Sequence, residues 1–209
     1  MDMEKEFNKY GISTAFEKIL AHNVPGVIFI IVLLMFLEII SGKKVFAHIA
    51  SSDFKVLALL IIMVIYIGFA VGLIIDELHH VLLEERIYIP WAKKAGKEVE
   101  FEDLDGKVCS ESYYIQFIGL DLYKYNLKHL YSYSEFDANI SLVLFPASVI
   151  IPIFINRYLM MEACVVWLIG IAIFLSAIGM LYAGYTAFCD YYSGLKNIIR
   201  GVFKKIEKG

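Results

Sequence analysis

The run VLALLIIMVIYIGFAVGLII at residues 56–75 contains no charged side chain, and the chain continues directly as DELHHVLLEERIYI at 76–89. At about 1.5 Å rise per residue, an uninterrupted apolar run of this length forms one helix across the roughly 30 Å hydrocarbon core of a bilayer. The continuation keeps Leu78, Val81 and Leu82 on one face and Asp76, Glu77, His79, His80, Glu84 and Glu85 on the rest. That pattern predicts a helix that does not stop at the membrane but projects into the cytoplasm, reaching about Ile87 before Pro90 closes it.

Three more segments read the same way, at residues 24–41, 137–155 and 165–188. Overall 59% of residues are hydrophobic and the mean hydropathy is +0.66, a balance that the polar surface of a soluble domain excludes. The expected fold class is an all-α membrane protein with four transmembrane helices, cytoplasmic helical extensions and a small cytoplasmic loop domain. Residues 42–55 and 156–164 then form an external loop and turn, 76–136 the loop domain, and 1–23 and 189–209 the terminal segments. The first apolar segment follows Asp2, Glu4, Glu6 and Glu17 and precedes no small-residue cleavage site, so it is expected to be a retained span.

Orientation follows from the cations. Of nineteen Lys and Arg, fifteen fall on the side that holds both termini and residues 76–136, and only Lys43, Lys44, Lys55 and Arg157 fall on the other. The positive-inside rule makes the richer side cytoplasmic, which for a bacterial chain means the inner membrane with both termini inside.

The connecting segments carry their own signals. Thr14 and Glu17 match a capping box, with Ile12, Phe16, Ile19 and Leu20 at helical spacing. A short surface helix is therefore expected, ending near His22 and Asn23, with Pro25 in the first turn of the first span. Asp105-Gly106 between alternating runs predicts a hairpin, and the helical pattern resumes after Gly119. Pro146 and Pro152 favour kinks in the third span. Leu195, Ile198, Ile199, Val202 and Ile206 oppose Lys196, Arg200, Lys204, Lys205 and Lys208, a basic amphipathic tail suited to anionic lipid.

Few residues suggest chemistry. Glu77 and His80 form a Glu-x-x-His, the spacing of carboxylate-bridged di-iron helices, but no second copy exists and no metal or other cofactor is expected. Asp76, His80 and Glu84 stack at i, i+4 and i+8 and, with Tyr113 and Tyr114 of the loop, make a candidate switch or partner-binding surface. Glu38 and Asp190 sit near opposite membrane edges, either interfacial or lining a pore. Gly68 and Gly72 form a GxxxG pair, and Ser176, Gly179 and Ala183 a small-residue ridge, both suited to close helix packing within or between subunits. Cys109, Cys164 and Cys189 offer neither a pairing nor a metal spacing. There is no GxSxG, phosphate loop or HExxH, so no enzymatic activity is expected, and direct nucleic-acid binding is not expected either.

Four spans, one large loop between the second and third, a cationic tail and no catalytic motif together resemble the small membrane components of bacterial anti-phage defence systems. Kiwa-type membrane sensors are the first likeness and Hailong-type channel effectors the second. The likeness is one of architecture along the whole chain and transfers no individual residue. It implies a homo-oligomer, tetramer favoured, that passes a membrane signal to a cytoplasmic protein partner. An oligomeric ion channel or depolarising effector is the alternative function, and a membrane enzyme built on Glu77 and His80 is a third.

Overall fold

The computed structural model describes residues 2–97 and 127–206. All elements among them are helical: α1 (Asp2–Ser41), α2 (Val45–Ala50), α3 (Phe54–His79), a π-helical segment (His80–Tyr88), α4 (Ile89–Lys94), α5 (Lys128–Leu159) and α6 (Ala163–Ile206). Four stretches are long and apolar enough to cross a membrane: Ile19–Ser41, Phe54–Lys94, His129–Leu159 and Ala163–Asn197. The protein therefore has an all-α, multi-pass membrane fold. The expected hairpin at Asp105-Gly106, Tyr113 and Tyr114 lie outside the described residues.

Burial divides the four unequally. The third span has 44% of its apolar window inside the molecule, against 17–22% for the others. It packs on α6 and α1, and less extensively on α3, while α1 and α3 pair closely with each other. The outward faces, including Ile61, Ile62, Ile65 and Tyr66 of α3 and Leu168, Ile171 and Leu175 of α6, are apolar and exposed. On four helices long enough to cross a bilayer, lipid accommodates such a surface.

One end of the bundle, here the far end, gathers residues 38–53 and 154–162. The other, the base, gathers His22, residues 76–97 and the beginning of α5 against α6 from Leu181 onward. α6 alone has 44 residues, about 66 Å of helix, so it must continue well beyond an apolar core of about 30 Å. Tyr191 and Leu195 at its base are fully buried, and Tyr131 of α5 stacks 5.1 Å from Tyr191. The first turns of the expected tail are therefore part of the bundle, continuous with the last span.

Two boundaries differ from expectation, each for a backbone reason. α1 does not break near His22 and Asn23; it runs through Pro25. A proline inside a helix leaves the carbonyl four residues earlier without its donor, here that of Ala21. Asn139 Nδ2 on α5 donates to the Ala21 oxygen at 3.3 Å, so the neighbouring helix supplies the missing bond. Likewise Pro90 does not end the second helical run, which proceeds to Lys94. Before Pro90 the register has widened, with the Ile89 N–H donating to Glu84 O five residues back, and the proline opens the new α-helical stretch where no N–H is required.

The widened register also changes which side chains face inward. Residues five apart on an α-helix lie about 140° apart around its axis; i→i+5 bonding stacks them instead. Leu83 and Tyr88 both point into the core, joining Ala92, Ala138, Tyr185, Phe188 and Cys189. Tyr88 is fully buried, and its hydroxyl donates to Leu181 O on α6 at 3.1 Å.

Candidate functional site: a polar knot at the base of the bundle

The α1–α3 crossing that sets the site is made by glycine. A Cβ at Gly72 would collide with the His22 carbonyl, and one at Gly26 with the Gly68 carbonyl and, at 2.7 Å, the Gly72 nitrogen. The GxxxG pair thus packs two helices of one chain at backbone contact. That approach sets the end of α3 against His22.

At that point the helix turns its polar face toward the bundle. Leu78, Val81 and Leu82 are exposed, while His79 is 2% exposed and Asp76, His80 and Glu84 are partly buried. Turning an apolar stripe inward is a rule for water; against lipid an apolar stripe gains nothing by turning in, and polar side chains are the ones that need partners inside. The Asp76–His80–Glu84 strip therefore faces α1 and α5. Glu77, half of the Glu-x-x-His pair, points outward and away from it.

Asp76 is the centre. Oδ1 accepts from Asn139 Nδ2 at 2.9 Å, and that same amide nitrogen reaches Ala21 O. Around the carboxylate stand three imidazoles: His79 Nδ1 at 3.6 Å from Oδ1, His80 Nε2 at 3.9 Å from Oδ2, and His22 Nδ1 at 3.9 Å from Oδ2. These separations exceed hydrogen-bonding range. His80 has its other ring nitrogen, Nδ1, against Glu84 Oε2 at 2.6 Å, a charge-assisted distance. Glu135 on α5 is within electrostatic reach of the same ring.

His79 Nδ1 and Asn139 Oδ1 are both buried and make no hydrogen bond among the described residues. An unbonded buried polar atom costs about 1–3 kcal/mol, so two within one knot are a conspicuous feature. Among the described residues Asp76, His79 and His80 form the one three-residue group whose ligand atoms all lie within 4.8 Å of one another.

The other candidate residues are dispersed. Glu38 is at the far end, 3% exposed, with Oε2 accepting from Phe46 N at 2.9 Å at the start of α2 and its backbone carbonyl accepting from Tyr158 Oη at 3.3 Å. Within the single chain it is shielded from water and caps a helix. Arg157 beside it donates to Ile39 O. Asp190 is exposed on α6. Ser176 and Gly179 are exposed and Ala183 partly so, and nothing lies within 4 Å of a Cβ placed on Gly179. The small-residue ridge is thus uncovered, unlike the GxxxG pair. His22, His79 and Asn139 were missing from the sequence-derived site; Pro25, four residues after Ala21, was the available hint that a partner side chain must come from elsewhere.

Comparison with family models, curated proteins and solved structures found no match for the chain.

Proposed function

We propose that the chain is a bacterial inner-membrane sensor and scaffold that relays a change in helix packing to a soluble cytoplasmic partner, as in anti-phage defence. The observation that carries this reading is mechanical continuity. The second span runs without interruption through the Asp76 knot, where α1 and α5 are attached, and through the π-helical segment to Tyr88, which is bonded to α6. A π-register differs from an α-register by one residue per bond, so this segment can change which side chains face inward for a small displacement of the span; such segments recur at functional positions. The distribution of cations supports a cytoplasmic base, and the residues that follow α4 are the natural place for a partner to dock.

The test replaces residues 98–126 with a short flexible linker, leaving Tyr88 and α4 in place. Loss of partner capture from native membranes by a chain that still inserts is the expected result, and undiminished capture refutes the scaffold role. The uncovered Ser176–Gly179 ridge favours a second reading, a homo-oligomeric channel, tetrameric by the family likeness. Single-channel conductance in planar bilayers would select it. Of its two candidate pore charges, Asp190 is exposed on the single chain, while Glu38 is engaged with α2.

A further inference from the structure

We propose that the knot is a divalent transition-metal site of the Zn2+ class, with Asp76, His79 and His80 as ligands from the end of the second span and His22 of α1, 3.9 Å from Asp76, moving in as the fourth.

Three observations converge on this. The first is spacing: Asp76, His79 and His80 stand at i, i+3 and i+4, which places all three on one helical face, and their ligand atoms lie within 4.8 Å of one another. Bonds of about 2.0–2.1 Å to a tetrahedral ion put neighbouring donors about 3.3 Å apart. The observed 3.6 Å from His79 Nδ1 to Asp76 Oδ1, and 3.9 Å from Asp76 Oδ2 to His80 Nε2, are too long for hydrogen bonds and slightly wider than a coordinated set, while His22 Nδ1, also 3.9 Å from Asp76 Oδ2, stands outside the three-residue group and would move in to join it.

The second is His79 itself, which is 2% exposed with Nδ1 directed at the Asp76 carboxylate and no hydrogen bond among the described residues. An ion seated between this ring and the carboxylate would supply the partner that the buried nitrogen lacks, once the donors close by a few tenths of an ångström. The third is the outer layer. Glu84 engages His80 Nδ1 at 2.6 Å, so that the ring's other nitrogen, Nε2, is the one that faces Asp76. A carboxylate behind a ligating histidine, and an amide such as Asn139 holding the ligating carboxylate, are the usual supports of a metal ligand.

Three imidazoles and one carboxylate form a borderline donor set that suits Zn2+ over the all-oxygen preference of Mg2+ or Ca2+. With four protein donors no position is left for substrate, so the role is structural. The ion would fasten α1 to α3 directly below their glycine crossing, and through Asn139 to α5. Occupancy would thereby set how rigidly the base of the bundle is joined to the π-helical segment, which starts at His80.

The experiment uses full-length protein in detergent, stripped with a chelator, dialysed and titrated with Co2+, followed by competition with Zn2+. One Co2+ per chain with the intense visible absorption of a tetrahedral site is expected, displaced by one equivalent of Zn2+. Asp76→Asn and His79→Ala should weaken binding at least a hundredfold, and Glu84→Gln about 10–100-fold, while His48→Ala, at the exposed far end, should bind like the parent. His80→Ala guards against misfolding of the His79 variant, because its ring is a third exposed; it too should lose the ion while retaining parental helicity and a single elution peak. Absence of Co2+ binding by the folded parent would overturn the proposal. So would unchanged affinity in folded Asp76→Asn and His80→Ala, or loss of the ion in His48→Ala.

Discussion

At the far end of the bundle one carboxylate answers one backbone N–H, whereas at the base one carboxylate is shared among three imidazoles and an amide. Glu38 and Asp76 are both acidic residues at the edge of an apolar span, and both are turned inward. Glu38 spends its side chain on the first turn of α2, and its backbone carbonyl also accepts from Gly42 N. Asp76 sits among more donors than it satisfies, with a buried ring nitrogen left over. The difference teaches that an edge carboxylate is structural when local backbone consumes it, and available for chemistry when side chains from three helices surround it.

Four substitutions break or sharpen that contrast. The largest effect is expected from Gly72→Leu, because even a Cβ at this position meets the His22 carbonyl. Overpacking of this kind costs about 3 kcal/mol or more. Thermal unfolding in detergent should show a strongly destabilised chain in which the base no longer assembles, and a stable Gly72→Leu protein would mean that the α1–α3 crossing is not at backbone contact.

Next is Asn139→Leu, which removes one donor from both Ala21 O and Asp76 Oδ1. About 2 kcal/mol of destabilisation is expected. The sharper version is a double-mutant cycle with Pro25→Ala, which restores an N–H to the Ala21 carbonyl from within α1. Asn139→Leu should then cost measurably less in the Pro25→Ala background, and strict additivity of the two changes would show that the proline and the asparagine are not coupled.

Glu38→Ala should cost about 1 kcal/mol, the usual value of a lost helix cap, with no change in the base. Proteolysis confined to residues 42–53 is a direct readout, and altered metal or partner binding in this variant would collapse the distinction between the two ends. The smallest effect on the fold is expected from Gly179→Leu, within about 0.5 kcal/mol, since among the described residues nothing lies within 4 Å of a Cβ placed there. Cross-linking should instead report a change in oligomer size; a destabilised monomer would show that the ridge packs internally.

Much of the fold was legible because membrane spans are specified by composition over a window. Four apolar stretches, their order and their helical character needed no tertiary information, since lipid obliges each span to satisfy its own backbone hydrogen bonds. The site was half legible: Asp76, His80 and Glu84 share a face by helical periodicity alone. Which way that face points was not, because amphipathicity names two faces without saying which solvent each one meets. Asn139, lying inside an apolar stretch, and His22, beside an anticipated helix break, gave no periodic signal at all.

By itself, then, the amino-acid pattern determined how many helices cross lipid, roughly where each begins, and that the two glycine-containing stripes could pack closely. Only the tertiary structure decided which stripe is used within the chain, that α1 passes through Pro25, and that His22, His79 and Asn139 converge on Asp76. The reason is that periodicity is a property of one helix, whereas a carbonyl freed by proline or a shared carboxylate finds its partner on another helix far away in the chain, and nothing local encodes that distance.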